Sequence, residues 1–185
     1  IREWSESRGL GDVYKRQTQD WKLLKMQSSH FDKKGAAKMV DISKKKITTR
    51  VAKAEGYIYM NRATLEMIEK GLHKKGDVLS IARLAGIMGA KKTSDLIPLC
   101  HPLSIEGINV DFQINNKTNS IKVLVDCKTT NKTGIEIEAL TAVSICTLTI
   151  YDMCKSVDRG MKIDNISLTH KSGGKSGTFN KKWLQ

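Results

Sequence analysis

Two stretches in the middle of the chain alternate between apolar and polar residues. The first covers residues 108–114, the second covers residues 121–127, and the polar segment 115–119 separates them. A period of two places successive side chains on opposite faces of a strand, one facing a core and the other facing water. The two stretches therefore predict a β-hairpin.

Other stretches follow the helical period. Asp77 can cap a helix that runs to about Lys92, a short helix is predicted over residues 63–70, and a long one over residues 138–157. We assign the wide apolar stripe of the helix after Asp77 to the core. The stripe consists of Val78, Ile81, Ala82, Ala85 and Met88, with Leu79, Leu84 and Ile87 beside it.

Further strands are predicted at residues 48–60, which are β-branched and aromatic near their ends, and at residues 163–170. The order of elements is then strand, helix pair, strand, strand, helix, strand. This order is typical of the split βαβ pattern. We therefore expect an α+β fold of the ferredoxin-like type, in which helices pack on one face of an antiparallel sheet.

The charge of the chain narrows the class of partner. The 185 residues suit one domain and carry a formal net charge of +13, which predicts an anionic partner. Aromatic residues make up only 5% of the chain, whereas readers of single-stranded RNA stack bases on exposed rings. A small polyphosphate is therefore favoured over nucleic acid. Lys44 to Lys46, Lys181 and Lys182 are assigned to a solvated face.

The cysteines and the apolar runs bear on the cellular compartment. The four cysteines are dispersed without a CxxC motif, and the adjacent Cys100 and His101 are poorly placed for joint ligation, so no metal site is predicted. No apolar run approaches the ~20 residues that cross a bilayer, and the N-terminus shows no secretory segment. We expect a cytoplasmic protein with reduced cysteines and no membrane contact.

A dozen residues, 91–102, bring together two cations, a carboxylate, a thiol and an imidazole. Pro98 and Pro102 bracket Cys100 and His101, which predicts a non-helical turn because proline fixes φ. Such a turn can form the wall of an active site. The alternative is an ordinary basic loop in which His101 bonds to a backbone carbonyl.

Asp152 and Lys155 lie three residues apart near the end of the long helix, so they share one face. If the pair is partly buried, it offers a base and an acid in one place, and the flanking Tyr151 and Met153 argue against full exposure. The alternative is a surface salt bridge.

Glu136 and Glu138 precede the predicted helix with a spacing of two. If the chain is extended there, both carboxylates point the same way and are candidates for substrate binding. Two neighbouring carboxylates repel each other unless a cation intervenes or one is protonated. The alternative role of Glu138 is to stabilise the N-terminus of the helix.

Residues 171–177 combine three glycines with two lysines but do not form a Walker motif, since Thr169 stands where the first glycine is required. Glycines flanked by lysines can still offer backbone N–H groups and charge to a phosphate. The alternative is a flexible C-terminal linker. The candidate phosphate-binding residues are Arg50, Lys75, Lys91 and Lys171.

Several of these segments resemble one family. Residues 39–43, 75–78, 91–102, 136–142, 151–158 and 171–177 are similar to motifs of the cyclic pyranopterin monophosphate synthases, lyases of the second step of molybdenum cofactor biosynthesis. The likeness begins after Met26. We therefore interpret residues 26–185 as the synthase domain and residues 1–25 as an N-terminal extension, disordered or artefactual.

The resemblance implies an activity and an assembly. The family converts (8S)-3',8-cyclo-7,8-dihydroguanosine 5'-triphosphate, made upstream by a radical enzyme, into cyclic pyranopterin monophosphate and releases pyrophosphate. It implies the same α+β architecture, and a hexamer, a trimer of dimers, with sites at the dimer interface. No cofactor is expected, and assistance by Mg²⁺ is left open.

The resemblance also implies roles for individual residues. Asp152 and Lys155 match the catalytic pair, which would shuttle protons, while His101 and Glu138 would orient the base and sugar. Residues that match substrate contacts are Leu99, Cys100, His101, Ile137 and Glu138. The runner-up interpretation is a noncatalytic RNA-binding module of ferredoxin-like fold, which salt-steep RNA binding would favour.

Overall fold

The structure is a computed structural model, and it describes residues 36–74 and 76–182. The chain divides into two units between Val40 and Asp41, and the account below concerns the second unit. The predicted extension at residues 1–25 lies outside the described residues, and so does the candidate site residue Lys75.

Within the described residues, five strands form one antiparallel sheet in the order β2-β3-β1-β4-β5. The predicted hairpin is confirmed as β2 and β3, and the other two predicted strands are β1 and β4. The fifth strand, β5, was not predicted because two residues carry no periodicity. The bounds are β1 Thr48–Tyr59, β2 Gly107–Asn115, β3 Ser120–Asn131, β4 Lys162–Ser172 and β5 Phe179–Asn180.

The helices connect the strands. The carboxylate of Asp77 caps α2 as predicted, accepting hydrogen bonds from the backbone N–H groups of Leu79 and Ser80 at 3.1 and 3.0 Å. A single turn, α3, was not predicted because it is too short for a periodic pattern. The bounds are α1 Arg62–Glu69, α2 Val78–Lys91, α3 Thr93–Leu96 and α4 Glu136–Cys154.

The core lies between the sheet and the two long helices. α4 packs across β1, β3 and β4, and α2 packs beside it and reaches β2. Alternate residues of β1 and β3 face this layer, so their side chains are removed from water and stabilise the fold. They are Ala52, Ala54, Ile58, Ile121, Val123, Val125 and Cys127. The α+β class is confirmed, while the ferredoxin-like type stays a prediction.

Two glycines allow α2 to approach α4 closely. A Cβ atom at Gly86 would overlap the thiol of Cys146, and one at Gly89 would meet Ile145 at 2.7 Å. The thiol of Cys146 also donates a hydrogen bond to the carbonyl of Ala82 at 3.2 Å. The inner face of α2 is therefore its small-residue face.

The prediction that the whole apolar stripe of α2 is core was wrong. Ile81, Leu84 and Met88 are 42%, 61% and 53% exposed in the isolated chain. The helix has two apolar faces. The face made of small residues contacts α4, because small residues permit a closer approach of the two helices. The other face is an exposed apolar surface of the single chain.

Helix α4 is long and apolar enough to cross a membrane by length and composition. The expectation that no apolar run approaches that length was therefore wrong. The helix packs against three strands and α2, and half of its apolar window is buried. A helix that packs in a core needs an apolar composition, so the packing of α4 accounts for its hydropathy.

Candidate active site

The turn around Cys100 is non-helical, as the two prolines predict. It follows α3, and the backbone N–H of Cys100 donates to the carbonyl of Ile97 at 3.0 Å. Leu99, Cys100 and His101 are half-buried there. The thiol of Cys100 donates a hydrogen bond to Glu138 Oε1 at 3.6 Å, which brings two predicted site residues into contact.

The glutamates do not have the extended arrangement expected from their spacing. α4 begins at Glu136, so each step along this segment turns the side chain by about 100° instead of 180°. Glu138 therefore turns into the protein and is 3% exposed, whereas Glu136 is half-buried and Ile137 is exposed. Both carboxylates lie in the first helical turn, where negative charge is favourable.

Burial governs the chemistry of Glu138 and Cys100. Loss of hydration raises the pKa of the Glu138 carboxyl, and the nearby charge of Glu136 raises it further. Burial and then the Glu138 charge raise the pKa of the Cys100 thiol to about 11, so the thiol stays protonated and donates. Glu138 Oε2 is buried and accepts no hydrogen bond from the described residues. It is an acceptor that a ligand can satisfy.

Arg50 is held rigidly at the end of the sheet where β1 begins. Its guanidinium donates to the carbonyl oxygens of Asn131 and Lys132 at 3.0 and 3.1 Å. Gly174 lies against it, with a φ of +74° and no room for a Cβ atom beside the guanidinium. The glycine-rich segment is therefore packed on Arg50 and is not a free linker.

A basic cavity of about 430 Å³ opens at this place. The hydroxyl of Thr48 in its wall is buried and has no hydrogen-bond partner among the described residues. Among the described residues that line the cavity there is no carboxylate, so it suits an anion. The lining residues are Lys44, Lys45, Lys46, Thr48, Arg50, Gly174 and Lys175. Lys44 to Lys46 are exposed, as their assignment to a solvated face predicts, and they also line the cavity because the chain turns before β1.

The other predicted cations are placed differently. Lys171 is the last but one residue of β4 and lies opposite Ala52, and its ammonium donates to the hydroxyl of Ser176 in the glycine-rich loop. Lys91 ends α2 and lines a second cavity of about 430 Å³ with residues that include Ser104 and Glu106.

Asp152 and Lys155 form the predicted pair but are not buried. Their side chains are 64% and 55% exposed, and Lys155 Nζ lies 2.6 Å from the Asp152 carboxylate. The hydrogen bond to Asp152 raises the pKa of Lys155. The turn is not fully exposed, as the neighbouring Tyr151 and Met153 predict, because Met153 is buried, but the pair itself lies on the outer side of the helix.

One chain does not bring this pair to the Glu138 region. Glu138 and Asp152 lie at opposite ends of α4, and a rise of about 1.5 Å per residue puts them about 20 Å apart along its axis. Within the described residues, no group of three or more His, Cys, Asp or Glu side chains is placed to hold a metal ion.

Comparison with known proteins identifies the family. The sequence profile of the MoaC family matches residues 39–174. The chain is 57% identical over 151 residues to the cyclic pyranopterin monophosphate synthase of Clostridium botulinum (strain Alaska E43 / Type E3), covering 82% of this chain and 95% of that protein. It is 53% identical over 154 residues to the synthase of the same name from Parvibaculum lavamentivorans, covering 83% and 96%. The chain belongs to the MoaC family.

Proposed function

We propose that this protein is a lyase of molybdenum cofactor biosynthesis. It converts (8S)-3',8-cyclo-7,8-dihydroguanosine 5'-triphosphate into cyclic pyranopterin monophosphate and releases pyrophosphate. Membership of the MoaC family and the names of relatives that are more than half identical support this activity. The substrate is supplied by a radical enzyme upstream, and the reaction takes place in the cytoplasm.

One observation carries the proposal: an unsatisfied buried acceptor and a basic cavity occur at the same end of the sheet. β1 begins there, β3 ends there at Asn131, and α4 begins at Glu136. Glu138 Oε2 can accept a hydrogen bond from an N–H or O–H group of the base or sugar, and His101 in the adjoining turn orients the same part.

The cavity holds the triphosphate in this proposal. Arg50 presents a planar fork fixed by two backbone carbonyls, and the surrounding lysines add point charges. Lys171 contributes through the glycine-rich loop, and Lys75 and Lys91 are further candidate clamps. Positive charge in this place stabilises the negative charge that develops as pyrophosphate leaves the α-phosphate.

Proton transfer requires a second subunit. Asp152 and Lys155 are the proposed acid–base pair, but they lie about 20 Å from Glu138 along α4 of the same chain. We infer that the pair of one subunit completes the site of another. The exposed apolar face of α2, formed by Ile81, Leu84 and Met88, supports association because isolated chains rarely leave such a surface in water. A hexamer, a trimer of dimers, is the assembly proposed.

A noncatalytic RNA-binding role has one observation in its favour. Tyr57 and Tyr59 stack on each other on β1, with ring centroids 6.2 Å apart, and rings on a sheet can bind bases. The same face carries Glu55 and Asp126, whose charges already occupy the neighbouring lysines in ion pairs. Filter binding at several salt concentrations tests this role, and tight, salt-steep RNA binding would support it.

The direct test is turnover. The purified protein is incubated with the cyclised nucleotide, and both cyclic pyranopterin monophosphate and pyrophosphate are measured. We expect the two products in equal amounts. A folded, oligomeric protein that forms neither product would contradict the proposed function. A parallel reaction with EDTA determines whether Mg²⁺ assists.

A further inference from the structure

A buried carboxylate lies on the face of the sheet opposite α4. Glu55 follows Ala54, whose side chain is in the core, so the Glu55 side chain points to the other face. It is nevertheless only 3% exposed. Lys122 of β3 places its Nζ 2.8 Å from Glu55 Oε2, and Lys181 places its Nζ 3.8 Å from Oε1. A buried charge is tolerated when opposite charges accompany it in this way.

The two lysines come from different parts of the fold. Their side chains are 23% and 26% exposed, so both are largely shielded from bulk water where they form ion pairs with Glu55. Lys122 belongs to a central strand with ladders of hydrogen bonds on both sides. Lys181 follows β5, the edge strand. Glu55 therefore joins the middle of the sheet to the C-terminal segment.

The described residues around β5 are joined to β4 by the following contacts. β5 has two residues, which is too short for a strand to be stable by itself. The backbone N–H of Lys181 donates to the carbonyl of Thr169 at 2.8 Å, and its Nζ donates to Ser167 Oγ at 2.8 Å. His170 Nδ1 and Asn180 Oδ1 are hydrogen-bonded at 2.7 Å. The Lys181 side chain thus adds a hydrogen bond and an ion pair to the backbone pairing that holds β5 in place.

The glycine-rich loop is the connection between β4 and β5. On its β4 side, Gly174 packs on Arg50, and Gly177 N donates to the carbonyl of Gly174 at 3.3 Å. On its β5 side, the loop continues directly into Phe179, which pairs with Lys171. Since both ends of the loop are strands of the same sheet, release of β5 would free one end and widen the range of loop positions.

We propose that Glu55 is a positioning residue for phosphate binding, which acts through Lys181 to hold β5 on the sheet and the glycine-rich loop against Arg50. The inference deepens the proposed function and rests on it, because the loop is part of the proposed phosphate site. Glu55 and Lys181 do not contact substrate. They raise the fraction of molecules whose loop is already in the binding position, and apparent affinity is proportional to that fraction.

Lys181→Met and Lys122→Met form a matched pair of variants. Each removes one cation from the same carboxylate, but only Lys181 is connected to the loop. We expect Lys181→Met to raise KM for the cyclised nucleotide about three- to tenfold with kcat within about twofold, as a smaller competent fraction requires. We expect Lys181→Arg to restore KM. Lys122→Met lowers the melting temperature and leaves KM unchanged.

Two measurements without turnover separate this inference from the proposed function. Hydrogen exchange of the amides in residues 173–178 should become faster in Lys181→Met and not in Lys122→Met, and binding of inorganic pyrophosphate by calorimetry should weaken in the same variant. Wild-type protein that fails to turn over the nucleotide contradicts the proposed function. Unchanged loop exchange and pyrophosphate affinity in Lys181→Met, or equal changes in both variants, overturn the positioning role of Glu55.

Discussion

At the scale of residues, burial makes Glu138 a carboxyl group that is difficult to ionise. One of its oxygens accepts the weak hydrogen bond of the Cys100 thiol, and the other accepts no hydrogen bond from the described residues. An unsatisfied buried acceptor costs about 1–3 kcal/mol, so the free protein carries a local instability that substrate can relieve. This is the residue-level sign of a binding site.

Glu138→Gln should therefore remove activity and change how stability depends on pH. The folded protein holds the Glu138 proton more tightly than the unfolded chain, so wild-type stability falls as pH rises above the ordinary glutamate value and up to the raised pKa. Gln does not titrate. Between pH 4 and pH 8, the melting temperature of the variant should rise relative to that of the wild type as the pH increases. A constant difference across this range would contradict the burial of an ionisable group.

Asp152→Asn removes a base that is exposed in the single chain. We expect normal folding, and loss of turnover by about 10²–10⁴-fold, the usual contribution of a general acid–base group. Asp126→Asn is the control, because Asp126 forms an equally exposed ion pair with Lys53 at 2.8 Å. Steady-state kinetics decide the matter: activity within about threefold of wild type in Asp152→Asn would make this pair an ordinary surface salt bridge.

At the scale of elements, the position of the glycine-rich loop depends on its backbone conformation. Gly173 and Gly174 both have positive φ, which lets the chain fold tightly onto Arg50. The sequence shows the glycines and lysines of this segment, but neither its contact with Arg50 nor the short strand that anchors it. Both depend on residues far away in the chain.

Gly174→Ala tests the loop. The new methyl group would displace the guanidinium of Arg50, so pyrophosphate binding measured by calorimetry should weaken by about 1.5–3 kcal/mol, the value of a charge-assisted hydrogen bond. Gly71→Ala is the control, since Gly71 has a similar φ of +63° with no atoms close to the added group. If both variants bind pyrophosphate as tightly as wild type, Arg50 is not part of the phosphate site.

The elements also show how far periodicity predicts a fold. Alternation predicted the β2–β3 hairpin, and the cap at Asp77 predicted the start of α2, because both signals are local. The same signals could not tell which apolar face of α2 packs inside, since Gly86 matters only opposite Cys146. The start of α4 at Glu136 was missed for a related reason: a spacing of two is compatible with a strand until the following residues form a helix.

At the scale of the whole molecule, the candidate site is divided. Predicted residues gather at both ends of α4, and the helix is too long for one small substrate to contact all of them with short bonds. Sequence identified the residue types but not this separation, because the resemblance assigns residues to one site without saying which subunit supplies each. A shared site is the arrangement that uses both ends.

Mixing two inactive variants tests the shared site. Glu138→Gln and Asp152→Asn subunits are dissociated mildly, mixed and reassembled, and subunit exchange is confirmed by mass spectrometry. If the two residues of a site come from different chains, random mixing should restore about a quarter of wild-type sites. Mixed oligomers that remain as inactive as their parents would place both residues in a site of one chain.

The close contact of α2 and α4 has a consequence for how this protein can change over generations. At Gly86, selection preserves the short distance between α2 and α4, because any side chain there would push the two helices apart. The outward face of the same helix has no such limit within one chain, and Leu84 or Met88 can be exchanged for other shapes. α2 thus has one face on which the packing of a single chain forbids larger residues, and one on which only the proposed association between subunits limits substitution.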